Sequence, residues 1–199
     1  MLLMHYICTK SNIIMVKKTT LAINFENGKA VANKKLALGD DIGLFILLVL
    51  ETGLRLSDAL TLTKNNFYKI GKDYYIQFVA KKTKKEAKRP ISELLYKKVM
   101  DRGSDCIFIN PKTNQYYSKM WVGRNLKKAF LNECREAKKE NKTISAHSLR
   151  KSAGQKVYEI NGIEAARDFL QHETYQTTKD YLNIGERKLN QLLKDTLID

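Results

Sequence analysis

Tyr181 carries a phenol that could attack a phosphodiester, and basic residues stand at intervals ahead of it. They are Arg55 in Thr52-Gly53-Leu54-Arg55, His147 and Arg150 in His147-Ser148-Leu149-Arg150, and His172 in Leu170-Gln171-His172. A phenol, two guanidiniums and two imidazoles suffice to break and rejoin a phosphodiester without metal or ATP. A free phenol has a pKa near ~10 and is a weak nucleophile at neutral pH, so it needs a base or strongly positive surroundings. Arginine supplies such surroundings in a planar fork that fits phosphate oxygens. The chemistry this set could perform is strand transfer on DNA.

Each piece also has an ordinary reading. Arg55 and Asp58 are three apart on an expected helix and so share a face. Asp58 could hold the guanidinium from behind, or the two could be a surface ion pair of little consequence. His147 and Arg150 repeat that spacing at the start of another helix, where free backbone N–H groups favour an anion. The loop from Lys81 to Arg89 carries Lys81, Lys82, Lys84 and Lys85 between two expected strands. It is either a solvated hairpin tip or a loop laid along DNA. In the second case one lysine, its pKa lowered by neighbouring cations, could deliver a proton. Tyr181 by itself is one of ten tyrosines and reads as a packing residue.

The elements that must position these groups follow from the pattern of apolar residues. Leu21, Ile23 and Phe25 alternate, and Asn27-Gly28 offers a tight turn before Ala30 to Ala32, which predicts a small hairpin or extended arm over residues 1–36. Asp40 can cap a helix through Ile42, Leu44, Phe45, Leu47, Leu48 and Leu50 that Gly53 would end. That helix is apolar nearly all round and should be buried. A short helix follows with Arg55, Asp58 and Leu62. Phe67 to Ile70, Tyr74 to Val79 and Arg89 to Ile91 then read as a three-stranded antiparallel sheet. Further helices are expected over Glu93 to Met100, Lys119 to Ala137, Ser148 to Ile160, Glu164 to Leu170, a short piece at Tyr181, and Glu186 to Leu197. The fold class is therefore α+β, mostly helical with one small sheet, with the main domain over residues 37–199.

Composition agrees with a polyanionic partner. The chain has 199 residues, with 36 Lys+Arg against 21 Asp+Glu, a formal charge of +15 and a pI of about 9.6. Such an excess favours a polyanion through counterion release and steering, although charge alone does not separate DNA from RNA or an acidic membrane surface. Cys8, Cys106 and Cys134 show no metal-ligand spacing, which argues against zinc and fits a reducing, cytoplasmic compartment. The apolar run Leu44 to Leu50 is far short of the ~20 residues of a membrane span. Met1 to Met15 lacks the basic start and cleavage site of a signal peptide.

Taken in order, the pieces are specific. Thr52-Gly53-Leu54-Arg55-Leu56-Ser57-Asp58-Ala59-Leu60-Thr61-Leu62 resembles the first box of the tyrosine recombinases, the phage integrase family. His147-Ser148-Leu149-Arg150 resembles their His-x-x-Arg box. Leu170-Gln171-His172, Thr177-Thr178 and Tyr181 resemble the closing box, with tyrosine nine positions after histidine. The resemblance spans roughly Leu38 to Asn183. It implies that Tyr181 is the nucleophile forming a 3′-phosphotyrosyl link. Arg55 and Arg150 would grip the non-bridging oxygens, His147 would accept a proton near the tyrosine, and His172 would hydrogen-bond the phosphate. Lys82 is similar to the hairpin lysine that protonates the leaving 5′-oxygen, because Lys82-Thr83 precedes Pro90 at the family-like distance; Lys81, Lys84 and Lys85 remain candidates and otherwise contact DNA. Asp58 would support the site.

The resemblance further implies double-stranded DNA as substrate, a homotetramer on synapsed DNA, and no cofactor. The expected Glu186–Leu197 helix carries Leu189, Leu192, Leu193 and Leu197 on one face, to dock on its own domain or on a neighbouring protomer. Two departures stand out. Lys151 occupies a position where many members carry His, outside the catalytic set. The family's separate core-binding domain finds only about 36 residues ahead of the match. The chain is thus expected to be a fragment or a short member like the fimbrial-switch invertases, with weaker DNA affinity because fewer phosphates are neutralised. A type IB topoisomerase shares the chemistry but would relax supercoils as a monomer. A DNA-binding accessory module would have no use for a nucleophile in register.

Overall fold

The computed structural model describes residues 19–185. Residues 19–21 run extended beside Thr143, with backbone bonds from Leu21 N to Thr143 O (3.1 Å) and from Thr143 N to Thr19 O (3.0 Å). The expected hairpin then gives way to a helix, α1, over Phe25–Ala37. The Asn24 side chain accepts from Asn27 N at 3.0 Å and caps it, so Asn27-Gly28 lies inside the first helical turn instead of at a hairpin tip. Three alternating apolar positions are a weak strand signal, and a capped helix that buries Gly28 and Ala32 overrides them.

Helix α2, Asp41–Thr52, is capped by Asp40 and buried from Ile42 to Leu50. The all-round apolar run has its expected place at the centre of the core. Gly43 lets α1 approach closely, since a Cβ there would stand 2.7 Å from Leu36 N and 2.8 Å from Ala32 O. The helix ends at Gly53 in the left-handed region (φ 61°), the C-terminal cap foreseen from sequence. Helix α3, Leu56–Ala59, follows after Leu54 and the extended Arg55.

Strands β1 (Phe67–Ile70), β2 (Asp73–Val79) and β3 (Glu86–Ile91) form an antiparallel sheet in that order. The register pairs Phe67 with Ile76, Ile76 with Arg89, and Val79 with Glu86. Pro90, which lacks an N–H, sits on edge strand β3. A two-stranded ladder, β4 (Ile109–Asn110) and β5 (Gln115–Tyr116), lies after α4 (Glu93–Met100).

The single helix expected over Lys119 to Ala137 is two, α5 (Lys119–Ala129) and α6 (Leu131–Lys139). They are broken at the fully buried Phe130, whose φ −121°, ψ 52° lie outside the helical region. Conversely, the two helices expected over Ser148 to Leu170 abut as α7, Ala146–Leu170, with a break at Gly162 (φ 82°, ψ −176°). Helix α8, Tyr175–Leu182, packs on the end of α7 through Leu182 and Tyr181 against Ala166 and Leu170. The expected Glu186–Leu197 helix lies outside the described residues. Among the described residues no helix is long and apolar enough to cross a membrane.

Candidate active site

The site forms where the C-terminal ends of α2 and α7 meet the start of α7, helix α8 and the β2–β3 loop. Arg55 is the N-cap of α3, reached through the Gly53 turn, and not a residue on a helix face. It is half-buried, and its Nη1 is buried without a hydrogen-bond partner. Asp58 is 4% exposed. Its Oδ1 accepts from Ser57 Oγ and from Lys81 N, both at 3.3 Å, so it ties α3 to the start of the lysine loop. No ion pair joins it to Arg55 among the described residues, and its Oδ2 is buried and unpartnered.

The loop itself is closed by Lys84 N donating to Ala80 O (2.8 Å) and Ala80 N donating to Lys85 O (2.9 Å), with Lys84 in the left-handed region (φ 57°). Lys81, Lys82, Lys84 and Lys85 are all exposed. Lys82 nevertheless stands near enough to His172 for its charge to bear on that imidazole.

Helix α7 starts with a capping box. Ser145 Oγ accepts from His147 N at 3.2 Å, and Ser145 N donates to Ser148 Oγ at 3.1 Å. That cap fixes His147 in the first turn, exposed, and turns Arg150 inward, where it is 4% exposed. The Arg150 guanidinium donates from Nη1 to Gly53 O and from Nη2 to Leu170 O. One side chain thus holds together the C-terminal ends of α2 and α7, which carry Arg55 and His172 just beyond them.

His172 follows Gln171, the left-handed C-cap of α7 (φ 50°). Its Nδ1 lies 3.2 Å from Thr178 Oγ1, and its ring meets that of Tyr181 edge-on, with centroids 5.2 Å apart. Tyr181 Oη donates to His147 O at 3.2 Å. Lys151 Nζ donates to Asn183 Oδ1 at 2.9 Å, and Gln155 Nε2 donates to Leu182 O at 3.2 Å. Two residues of α7 thereby secure the end of the tyrosine helix. The fold brings Arg55, His147, Arg150, His172 and Tyr181 into one site, with Lys82 on the neighbouring loop, close enough for its charge to reach His172.

The electrostatics are those of a site short of negative charge. Burial pushes the Tyr181 phenol up to about 12, against the pull of Arg150 and then Arg55. Burial pushes His172 down to about 4, assisted by Arg150, Arg55 and Lys82; His147, exposed as a whole but partly desolvated on its site side, is lowered by that desolvation first and then by Arg150 and Arg55. Both imidazoles are therefore neutral at pH 7. Arg150 is itself lowered to about 10, by burial first and by Arg55, with Tyr181 and Asp58 opposing.

The sequence reading gave no role to two residues of the site. Thr178 is fully buried beneath His172. Arg89 is a third guanidinium, 8% exposed, on the inward face of β3. Its place was signalled by alternation, since Arg89 and Ile91 are two apart on one strand and share a face. The charge run around it hid that signal.

The chain matches the family model of the phage integrase family over residues 23–187. The protein belongs to the phage integrase family. Solved structures show the same fold. XerH site-specific recombinase bound to its difH substrate, in a pre-cleavage complex, aligns with TM-score 0.64 at 17% identity, covering 94% of this chain and 57% of that one. XerA recombinase aligns with TM-score 0.64 at 15% identity, covering 92% and 68%. A lambda integrase dimer bound to a COC′ core site aligns with TM-score 0.60 at 18% identity, covering 84% and 48%. The chain spans about half the length of XerH and of lambda integrase. No curated protein sequence matches it.

Proposed function

We propose that the protein is a site-specific recombinase that cleaves and rejoins double-stranded DNA through a 3′-phosphotyrosyl intermediate. The observation that carries this reading is the position of Tyr181 Oη. It lies 3.2 Å from the first turn of α7, in a site crowded by Arg55 and Arg150 and poor in anions. A scissile phosphate supplies the missing negative charge. Arg55, through the unpartnered Nη1, and Arg150, which has N–H groups left after its two carbonyl bonds, grip the non-bridging oxygens.

Tyr181 Oη then attacks phosphorus. The bond from phosphorus to the phenolic oxygen forms and the bond to the 5′-oxygen breaks. The phenolic proton passes to neutral His147, and Lys82 gives a proton to the leaving 5′-oxygen. Two guanidiniums aimed at the developing charge stabilise the transition state. Thr178 has one hydroxyl proton and two acceptors in reach, His172 Nδ1 at 3.2 Å and Thr174 O at 3.3 Å. Donation to Nδ1 leaves the imidazole proton on Nε2, where it can bond a phosphate oxygen. Attack by a 5′-hydroxyl of another strand reverses the step, and the ester conserves the bond energy. Lys81, Lys84 and Lys85 lie along the DNA backbone, and synapsis brings four protomers together.

A nicked duplex carrying the cognate site, whose cleavage releases a short strand, traps the covalent adduct. Tyr181→Phe removes the adduct and leaves DNA binding intact. An adduct that persists in this variant assigns the nucleophile elsewhere. Relaxation of supercoils without a partner site would instead indicate a topoisomerase.

A further inference from the structure

Arg89 is buried beside the site and has no role in the reaction scheme above. It has no carboxylate partner among the described residues. Its guanidinium lies over the Phe169 ring at 4.5 Å and near that of Phe78 at 5.5 Å. Burial, then Arg150 and Arg55, push it down to about 9. An apolar side chain would fill this position between two phenyl rings without desolvating a charge. What the guanidinium supplies is a pair of donors. Nη1 bonds Thr52 O and Nη2 bonds Phe169 O. Arg150 bonds the next carbonyl of each segment, Gly53 O and Leu170 O.

Two guanidiniums therefore clip adjacent carbonyls of the same two segments. Arg55 follows the first segment by two residues, and His172 follows the second by two. Gly53 brings the Phe169 ring onto the same point, since a Cβ at that glycine would stand 2.4 Å from Phe169 Cε1. Arg89 also anchors both segments to β3, whose hairpin carries Lys82.

We infer that Arg89 is a positioning residue that fixes Arg55 and His172 relative to each other and to the lysine hairpin, without itself touching the phosphate. This rests on the function proposed above. Arg89→Met keeps the apolar contacts and removes both donors. Single-turnover cleavage of the nicked substrate should slow by about 100-fold while DNA affinity changes by less than about 3-fold. In an Arg55→Ala background the same change should cost less than about 10-fold, because one of the two residues through which it acts is gone. A purely structural role would give the full loss in both backgrounds.

Without DNA, hydrogen exchange should quicken by about 10-fold at the amides of Gly53 and His172, which are bonded to Val49 O and Arg167 O. Arg89→Lys, which keeps the charge and can reach one carbonyl, is read in the same way if the methionine variant does not fold. Cleavage within about 3-fold of wild type, or unchanged exchange at both amides, overturns the positioning role. A wild-type chain that forms no adduct overturns the functional reading instead, and the exchange measurement still decides whether Arg89 fixes the two segments.

Discussion

Arg150 and the lysines of the β2–β3 loop bring positive charge to one site in opposite ways. Arg150 is buried and spends two donors on Gly53 O and Leu170 O, so its charge is fixed before any ligand arrives. Lys81, Lys82, Lys84 and Lys85 are exposed, and their loop is held by two backbone turn bonds and by Asp58 at its root. Buried, bonded cations are preorganised, which is what transition-state stabilisation needs. Exposed ammoniums keep ordinary hydration and can follow the substrate. The comparison separates groups that shape the site from groups proposed to meet the DNA.

The largest effect should come from the fixed side. Arg150→Ala removes the proposed phosphate contact and leaves two buried carbonyls unpaired. Cleavage should fall by about 1,000-fold, and chemical denaturation should show a loss of about 3 kcal/mol. Stability equal to wild type would mean that the two carbonyl bonds do not hold the helix ends, and the contrast with the loop would collapse. Arg150→Lys is the milder probe if the alanine variant does not fold.

On the exposed side, Lys82→Ala should slow cleavage by about 100-fold and leave the denaturation midpoint where it was. A substrate with sulfur in place of the 5′-bridging oxygen should restore the rate, since a thiolate leaves without a proton. If the sulfur substrate rescues Lys81→Ala, Lys84→Ala or Lys85→Ala instead, the proton donor is that residue.

The same division explains how much could be read from the chain. Helix α2 was legible because nine consecutive buried residues, Ile42 to Leu50, leave no other fold for the segment. Strand β1 was legible to the residue, because Gly71-Lys72 marks the turn after it. Helix α1 was misread, since three alternating apolar residues mimic a strand and the decisive contact, Gly28 against Leu50, is tertiary. The break at Phe130 follows from packing and leaves no local signal. The two-residue strands β4 and β5 are too short for any periodicity. Within the site, the types of Arg55, His147, Arg150, His172 and Tyr181 could be picked out through the family resemblance. The bonds that assemble them could not, since Arg150 reaches 97 positions back to Gly53, and Tyr181 34 back to His147. Arg89 shows the limit most clearly, because a buried guanidinium looks in sequence like one more charge in a basic loop.

A smaller effect reports on charge crowding. His172 falls to about 4, chiefly by burial and then through Arg150, Arg55 and Lys82. Its pKa is lower folded than unfolded, so the unfolded chain binds the extra proton between those values. Stability should therefore fall as pH drops from about 6.5 towards 4. His172→Phe should flatten that part of the curve of midpoint against pH. An unchanged slope would place the acid-sensitive group elsewhere.

The smallest effect tests whether the loop meets DNA as a set of separate charges. Lys85 is exposed, and its backbone carbonyl, not its ammonium, closes the turn with Ala80. Lys85→Ala should therefore leave the loop closed and single-turnover cleavage at saturating DNA unchanged. Its cost should appear in binding alone, as a slope of log affinity against log salt shallower by about 0.9. A slope that stays the same means that Lys85 neutralises no phosphate. A cleavage defect at saturation would show that the ammonium shapes the site, which would move Lys85 across the line that separates Arg150 from the loop.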